Sequence, residues 1–335
     1  MNETVTVIIP VRDLSEYLFQ SVQVTLANTP ADVRIIVLTD YEVERPYVWD
    51  ETRVQIMATG PVGPGAKRDF GVRACGTSIV AFLDDDAYPS SGWIECALPH
   101  FRDFDVAGVG GPNVTPPSDS FWQQVSGLVY STWMGAGGAR IRYVPSGVSR
   151  YVNDWPSVNL LVRRSYFIVA GGFATNVFPG EDTKLCIALT IGIGKHIIYE
   201  PSAIVFHHRR SLFWGHFRQL GNYARTRGRF SVLLPVTSDR WMYKIPSVLV
   251  IGTVAALALG FSMGQLEVLF LFAILVNLFI IAISCVEAFI VSGRIGLSLA
   301  ASTAILASHW WYGIQFIRGV VSVLIRPLTI TDTKL

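Results

Sequence analysis

The first 110 residues alternate short apolar runs, rich in β-branched side chains, with segments of helical periodicity. The apolar runs predict strands at 5–9, 33–38, 54–57 and 78–83, and the periodicity predicts a helix over 15–28. Runs that are apolar on both faces are typical of strands buried between two layers of helices. The alternation therefore predicts an α/β fold with a mostly parallel sheet flanked by helices.

From about residue 112 to residue 210 the pattern is less regular and richer in glycine, proline and aromatic residues. It predicts a strand at 156–164, short helices at 167–170 and 183–190, and two final strands at 196–199 and 203–206. We therefore expect one continuous globular domain over residues 1–206.

The region 245–325 is strongly apolar and holds three long apolar stretches, at 245–263, 266–291 and 295–317. Each approaches or exceeds the roughly 20 residues that cross a bilayer as a helix. The pattern predicts about three membrane helices, followed by a tail at 326–335. The cluster of His309, Trp310, Trp311, Tyr312 and Arg318 also fits a third helix that lies at the membrane interface.

The stretch 207–229 contains six arginines and three histidines interleaved with aromatic residues. A basic, aromatic segment next to an apolar one fits the cytoplasmic face of a membrane. Residues 207–244 are therefore predicted to form interfacial helices. Arg240 and Lys244 also flank the first apolar stretch. Because Lys and Arg are enriched on the cytoplasmic side of membrane proteins, this excess of positive charge places the N-terminal domain in the cytoplasm of a multi-pass cell-membrane protein.

The composition supports the division into a globular part and a membrane part, and it excludes some classes of function. Charged residues make up only 16% of the 335-residue chain, fewer than is usual for a soluble domain. The formal net charge of +2 is too small to indicate binding to nucleic acid. The four cysteines form no C-x-x-C pair and no zinc-like spacing, so they are expected to be reduced thiols. No secretory signal is expected before the first strand, and the oligomeric state stays open.

Two acidic groups are candidates for chemistry. Asp84, Asp85 and Asp86 directly follow a predicted buried strand, and ligands bind beyond the carboxyl ends of such strands. Three adjacent acids fit a Mg²⁺ or Mn²⁺ site, or simply a helix N-terminus. Asp182 lies at the start of a predicted helix and fits a helix cap, a general base, or both at once.

Two further features are ambiguous or excluded. The glycine-rich segment 60–67 ends in Lys67 but is not a P-loop, because Ala66 separates the last glycine from the lysine and Arg68 replaces the hydroxyl residue. Glu287 lies within an apolar stretch, where an acid is usually functional or paired, but it is close enough to Arg294 to reach the interface.

The order of these motifs resembles a membrane-anchored family-2 glycosyltransferase of the GT-A fold. The resemblance covers residues 4–230, and the set of motifs in this order is specific although each one is weak. The matching segments are 7–10, 39–40, 66–71, 82–86, 171–173, 180–182, 199–201, 207–208, 218–219 and 223–225.

The resemblance implies a role for each matching residue. Residues predicted to bind the nucleotide sugar are Pro10, Val11, Asp40, Arg68, Asp84, Asp85, His207, Gln219 and Arg225. Asp84 and Asp86 match the pair that holds a Mn²⁺ or Mg²⁺ ion on the donor diphosphate, and Asp182 matches the catalytic base. Of the nucleotide-binding group, His207, Gln219 and Arg225 would face the diphosphate or the acceptor entrance.

The implied reaction is inverting transfer of a sugar from a nucleotide-diphosphosugar to a hydroxyl of a membrane-associated, lipid-linked glycan. The nearest alternative is a polyprenyl-phosphate glycosyltransferase, whose phosphate acceptor is already anionic and needs no base. A non-catalytic membrane assembly subunit is a more distant alternative, and a channel with a cytoplasmic regulatory domain is another. Donor sugar, acceptor and linkage are left open by the sequence.

Overall fold

The computed structural model describes residues 3–44, 46, 48–50, 52–173, 179–264 and 266–325. The predicted tail at 326–335 lies outside the described residues. Within them the chain forms two compact units. The first unit contains residues up to Val114 and residues 144–208, and the second contains residues 115–143 and the chain from Arg209 onward.

The elements follow one another along the chain in this order. Up to residue 114 they are β1 (Val5–Pro10), α1 (Glu16–Asn28), β2 (Arg34–Thr39), β3 (Val54–Ala58), α2 (Pro64–Ala74), β4 (Ile79–Leu83), β5 (Ala87–Pro89), α3 (Trp93–Ala97), β6 (Val106–Gly110) and β7 (Asn113–Val114). From residue 115 to 208 they are α4 (Phe121–Ser131), α5 (Trp133–Ala136), β8 (Arg150–Val152), β9 (Asn159–Arg163), α6 (Arg164–Val169), α7 (Glu181–Ile187), β10 (His196–Tyr199) and β11 (Val205–His207). The remaining elements are α8 (Trp214–Leu233), α9 (Pro235–Ser238), α10 (Trp241–Met263), α11 (Leu266–Ser292) and α12 (Ile295–Ile325).

The first unit is built on an eight-stranded sheet of order β3-β2-β1-β4-β9-β6-β10-β8. Strands β1 to β4 are mutually parallel, as are β6 and β10, whereas β9 runs antiparallel to β4 and β6, and β8 to β10. Every residue of β1, β4 and β9 is buried. The predicted α/β architecture, a mostly parallel sheet with flanking helices, is confirmed.

The predicted strands of the first unit are present, with shifted boundaries. The stretch predicted at 156–164 forms a strand only over Asn159–Arg163, and the short helix predicted at 167–170 is Arg164–Val169. The helix predicted at 183–190 begins two residues earlier, at Glu181, and continues as a π-helical turn over Ala188–Gly192. Helix α2 and strands β6 and β8 were not predicted.

The second unit is helical and includes a segment that the sequence had placed elsewhere. Residues 115–143 interrupt the predicted continuous domain 1–206, because α4 buries Val125 and Val129 in a core that also contains Ile305 of α12. Most of the predicted interfacial region 207–244 also belongs to this unit. Its helix α8 lies close to α12, since a Cβ atom on Gly228 would come within 2.2 Å of the Phe316 carbonyl oxygen.

The apolar C-terminal helices differ in how much they bury. Among the described residues, α10 and α11 are long and apolar enough to cross a membrane. In α11 only Ser284 and Ala288 are buried, so its apolar side chains largely face outward. Helix α12 contains the third apolar stretch, predicted at 295–317, and buries many residues within the unit. A membrane crossing by α12 stays a prediction.

Glu287 is paired rather than free within its apolar helix. Its two carboxylate oxygens accept hydrogen bonds from the backbone N–H groups of Trp133 and Met134, the latter at 2.9 Å. These are the first two residues of α5, where backbone donors have no partner within the helix. Glu287 therefore accepts the hydrogen bonds of two N–H groups at the N-terminus of α5, a helix in the 115–143 segment.

Candidate active site

The polar residues that follow the central strands are brought to one edge of the sheet. Because β1, β2 and β4 are parallel, the segments after Pro10, Thr39 and Leu83 leave the sheet on the same side. The N–H of Val11 donates to the Leu38 carbonyl at 2.9 Å, which fixes the two strand ends together. Predicted nucleotide-site residues Pro10, Val11 and Asp40 thus lie at neighbouring strand ends.

Lys67 lies beneath this edge and is a residue that the sequence analysis set aside. Its side chain is only 3% exposed, and its ammonium donates to the Asp40 carboxylate and to the Val11 carbonyl. The Leu38 carbonyl lies 3.4 Å from the same nitrogen. A buried ammonium in this position holds Asp40 in a fixed orientation and satisfies carbonyls at the ends of two strands. The glycine-rich segment draws attention to Lys67 in the sequence, but it does not predict the contact of Lys67 with Asp40.

Helix α2 brings Lys67 and Arg68 to the site because it lies very close to the sheet. A Cβ atom on Gly71 would come within 2.9 Å of the side chains of Ile8 and Leu38. Pro64 opens the helix at a position where its missing N–H costs nothing. The glycine on the inner face and the proline at the start explain why a segment with little amphipathic pattern is helical here.

Arg68 joins the acids of two separate motifs. Its guanidinium is 2.6 Å from Asp84 and 3.7 Å from Glu181, and it lies over the ring of Phe173 at 5.5 Å. Burial alone would lower the pKa of Arg68, but attraction to Asp84, Asp182 and Glu181 raises it. Arg68 is therefore a permanent positive charge among three carboxylates.

Asp84, Asp86 and His207 form a group that could hold a metal ion. One ligand atom from each residue lies within 4.8 Å of the other two, and the His207 Nε2 is 3.1 Å from Asp86. The antiparallel pairing of β11 with β5 places His207 opposite Ala87, directly after the acidic run. Asp85 is half-buried and is not a member of this group. Two carboxylates and an imidazole are suitable ligands for a divalent cation.

Glu181 and Asp182 are both buried acids at the start of α7. Gly180, with a φ of 128°, is the residue that caps this helix, so the alternative role of Asp182 as the cap is wrong. Burial raises the pKa of Glu181 to about 7, with a further contribution from Asp182 and an opposing one from Arg68. Glu181 is not among the site residues predicted from the sequence.

Asp182 has the environment of a base. Burial raises its pKa, while Arg68 and hydrogen bonds from the hydroxyl and backbone of Ser157 oppose that rise. One of its carboxylate oxygens is buried and makes no hydrogen bond to any residue that the structure describes. A carboxylate with one oriented oxygen and one unpartnered oxygen is suited to accept a proton from a bound group.

The remaining predicted residues lie in the second unit. Gln219 and Arg225 are both on α8, where Gln219 is half-buried and Arg225 donates to Gln315 of α12 at 2.7 Å. Their contribution to donor or acceptor binding stays a prediction.

Comparison with known proteins identifies related sequences. Residues 6–143 match the family described as Glycosyl transferase family 2. Two curated relatives, both named Pre-mycofactocin glycosyltransferase, come from the Mycobacterium tuberculosis strains CDC 1551 / Oshkosh and ATCC 25618 / H37Rv. Each is 31% identical over 215 residues, a region that covers 63% of this chain and 44% of the relative. The chain thus spans less than half the length of these relatives.

Among solved structures, the chain is similar to a crystal structure of GalNAc-T7 with UDP, GalNAc and Mn²⁺. The TM-score is 0.49 and the sequence identity is 14%, with 72% of this chain and 52% of that chain covered.

Proposed function

Because residues 6–143 match the family described as Glycosyl transferase family 2, we propose that the protein is a metal-dependent, inverting glycosyltransferase. It moves a sugar from a nucleotide-diphosphosugar to a hydroxyl of a membrane-associated, lipid-linked glycan. The observation that carries the proposal is the group of Asp84, Asp86 and His207 at the sheet edge, linked through Arg68 to the buried acids of α7.

The donor would be held by the strand-end residues. Asp40, oriented by Lys67, offers carboxylate oxygens for a base or a ribose hydroxyl. Asp84, Asp86 and His207 would hold the divalent cation, which when bound neutralises the diphosphate and stabilises it as a leaving group. Arg68 holds Asp84 in place and supplies positive charge near the developing negative charge. A ligand set of two carboxylates and one imidazole favours Mn²⁺, with Mg²⁺ as the alternative.

Asp182 would remove the proton from the acceptor hydroxyl. The pKa of Asp182 is raised towards neutral pH. A general base is most effective when its pKa lies near the pH at which the enzyme works. Ser157 fixes one oxygen and leaves the other for the acceptor. A single base with no second carboxylate acting as nucleophile corresponds to one displacement with inversion at the anomeric carbon.

The need for a base favours a hydroxyl acceptor over a lipid phosphate, since a phosphate is already anionic at neutral pH. A second candidate acceptor is pre-mycofactocin, because relatives that carry this name are 31% identical to the chain. Helices α10 and α11 support a multi-pass location in the cell membrane. The arginine-rich α8 and Arg294 support a cytoplasmic catalytic unit.

The proposal is tested with the full chain purified in detergent. Thermal unfolding is followed with nucleotides and nucleotide sugars, each with Mn²⁺ and with EDTA, because a ligand of the folded state raises the melting temperature. We expect a metal-dependent rise with one nucleotide diphosphate and its sugar. Equal shifts with Mn²⁺ and with EDTA would contradict the metal assignment, and no shift with any nucleotide would favour a non-catalytic protein.

The base assignment is tested by Asp182→Asn with the donor so identified. Removing a general base lowers transfer by about 10²–10⁴-fold, while the metal-dependent melting shift with the donor persists. Transfer by the variant at the wild-type rate would show that Asp182 is not the base. Separate assays with a lipid-linked glycan and with pre-mycofactocin distinguish the two acceptors.

A further inference from the structure

The second unit exposes several large aromatic side chains in the segments that flank its apolar helices. They are Phe121, Trp122, Trp133, Phe213, Trp214 and Trp241. Trp133 is 60% exposed, and Trp241, the first residue of α10, is 77% exposed. A group of exposed aromatic residues marks a surface that contacts either a protein partner or a membrane.

Three of these aromatic rings contact one another and form one patch. The ring centroids of Phe121 and Trp122 are 5.0 Å apart, and those of Trp122 and Phe213 are 5.2 Å apart. The backbone N–H of Leu212 donates to the Trp122 carbonyl at 3.3 Å, which holds the segment before α8 against the start of α4. We call Phe121, Trp122 and Phe213 the aromatic patch.

Helix α5 lies beside the start of α10 and the last turns of α11. The N–H of Met134 donates to Glu287 of α11 at 2.9 Å. A Cβ atom on Gly137, directly after α5, would lie 3.7 Å from the Met242 side chain of α10 and 3.9 Å from the Trp133 ring. Helix α10 ends at Met263 and α11 begins at Leu266. If both helices cross the bilayer, the start of α10 and the end of α11 therefore lie at the same membrane face.

The start of α4, which carries the aromatic patch, is also held at the end of α11. Arg294, two residues beyond α11, donates to the Gln124 side chain of α4 at 3.0 Å. Val125 and Val129 of α4 share a buried core with Ala288 of α11. Both helices of the 115–143 segment are therefore fixed to the same end of one apolar helix.

The length of α11 gives the depth of these contacts in a bilayer. Its 27 residues span about 40 Å, whereas the hydrocarbon core is about 30 Å thick. A centred, upright α11 therefore extends about 5 Å beyond the core at each end. Glu287 lies five residues before Ser292, or about 8 Å from that end. The N-terminus of α5 thus lies close to the boundary between acyl chains and headgroups, where tryptophan is enriched in membrane proteins.

We propose that α4 and α5 are embedded in the lipid interface, with the aromatic patch and Trp133 in contact with acyl chains. The inference rests on the proposed membrane crossing by α10 and α11. Basic residues follow α5 and α11, at Arg140, Arg142 and Arg294, and they suit the phosphate groups of phospholipids. The chain between strands β7 and β8 of the first unit is thereby anchored in the layer that holds the polar end of a lipid-linked acceptor.

The test measures lipid contact at single positions of the full chain. p-Benzoylphenylalanine, which bonds covalently to nearby C–H groups on illumination, replaces Trp122 or Trp133. The protein is placed in nanodiscs of phosphatidylcholine and phosphatidylglycerol with radiolabelled phosphatidylcholine. Phe279, exposed in the middle of α11, is the positive position, and Phe104, an exposed aromatic residue of the first unit, is the matched control.

We expect attachment of labelled lipid at positions 122 and 133 close to the yield at position 279 and far above that at position 104. Attachment at position 279 without attachment at 122 or 133 would overturn the proposal and leave the aromatic patch to a protein partner. Equal attachment at position 104 would also overturn it, because lipid contact would then not be specific to α4 and α5. Absence of attachment at all four positions would overturn the membrane crossing together with this inference.

Folding and the proposed function are checked in the same variants. Both substituted side chains are exposed, so each variant should melt at the wild-type temperature. Metal-dependent nucleotide binding relies on residues of the first unit and tests the glycosyltransferase separately. A protein that binds nucleotide but attaches no lipid at 122 and 133 would keep the proposed function and lose the interface element. Attachment without nucleotide binding would give the opposite result.

Discussion

Replacing Glu181 with glutamine separates the two acids at the start of α7. Glu181 is buried, and burial together with the neighbouring Asp182 raises its pKa from 4.5 to about 7. Glutamine keeps the size of the side chain and one acceptor oxygen but does not titrate. The substitution therefore removes the charge with little change in packing.

The expected effect on stability follows from proton linkage. In the unfolded chain Glu181 loses its proton near pH 4.5, whereas in the folded protein it keeps it until about pH 7. The contribution of this group to stability is thus fully present below pH 4.5 and is lost as the pH rises through 7. The loss is on the order of 3 kcal/mol. It is an upper bound, because Glu181 and Asp182 titrate as a pair.

The assay is thermal unfolding of the full chain in EDTA between pH 4.5 and pH 8. A change on the order of 3 kcal/mol corresponds to about 6–12 °C for a unit of this size. Relative to the wild type, Glu181→Gln should gain melting temperature steadily across this range. The matched control is Glu200→Gln in the same unit. Burial opposes ionisation of Glu200, but hydrogen bonds from Ser149, Ser202 and His100 outweigh it and lower its pKa.

The control should behave in the opposite way. Stability from Glu200 is present above its unfolded pKa and is lost as the pH falls, so Glu200→Gln should lose most relative to the wild type at high pH. Parallel melting curves for Glu181→Gln and wild type at every pH would refute the burial argument.

Two further substitutions test single contacts. Ser157→Ala removes a hydroxyl that lowers the pKa of Asp182, so the acid limb of kcat/KM should shift to higher pH while donor binding is unchanged. Glu287→Leu leaves the N–H groups of Trp133 and Met134 without their acceptor and should destabilise the protein by about 1–3 kcal/mol in detergent melts. Glu287→Gln should recover part of that loss, and a Leu variant as stable as wild type would contradict the cap.

The parallel strands could be predicted because each is a local run of apolar residues. Burial on both faces leaves the same signature in any sequence. Strands β1 and β4 are buried throughout, and β2 is buried after its first residue, Arg34. Asp84 and Asp86 could be predicted as candidate site residues because ligands bind beyond the carboxyl ends of the strands in such sheets. Helix α2 was missed because Gly65, Gly71 and Pro64 weaken a helical pattern, although Gly71 is what allows the close approach to β1 and β2.

The placement of residues 115–143 could not be predicted from local pattern. A capping box of Ser120 and Gln123 does signal the start of α4. The pairing of Val125 and Val129 with residues of α12 depends on contacts between positions about 170 to 180 residues apart in sequence. The same limit applies to Glu287, whose partners at the start of α5 lie 154 and 153 residues away. An acidic residue in an apolar helix indicates that a partner exists, but the sequence does not identify that partner.

The charge balance of the first unit explains why two adjacent acids occur at α7. Arg68 is near Asp84, Glu181 and Asp182, while the ammonium of Lys67 is committed to Asp40. One positive charge cannot compensate three buried or half-buried carboxylates, so the structure favours a proton on the pair of Glu181 and Asp182 near neutral pH. A pair that shares a proton at this pH can release it and take it up again at little cost. The charge of Asp182 thus helps to keep the proton on Glu181.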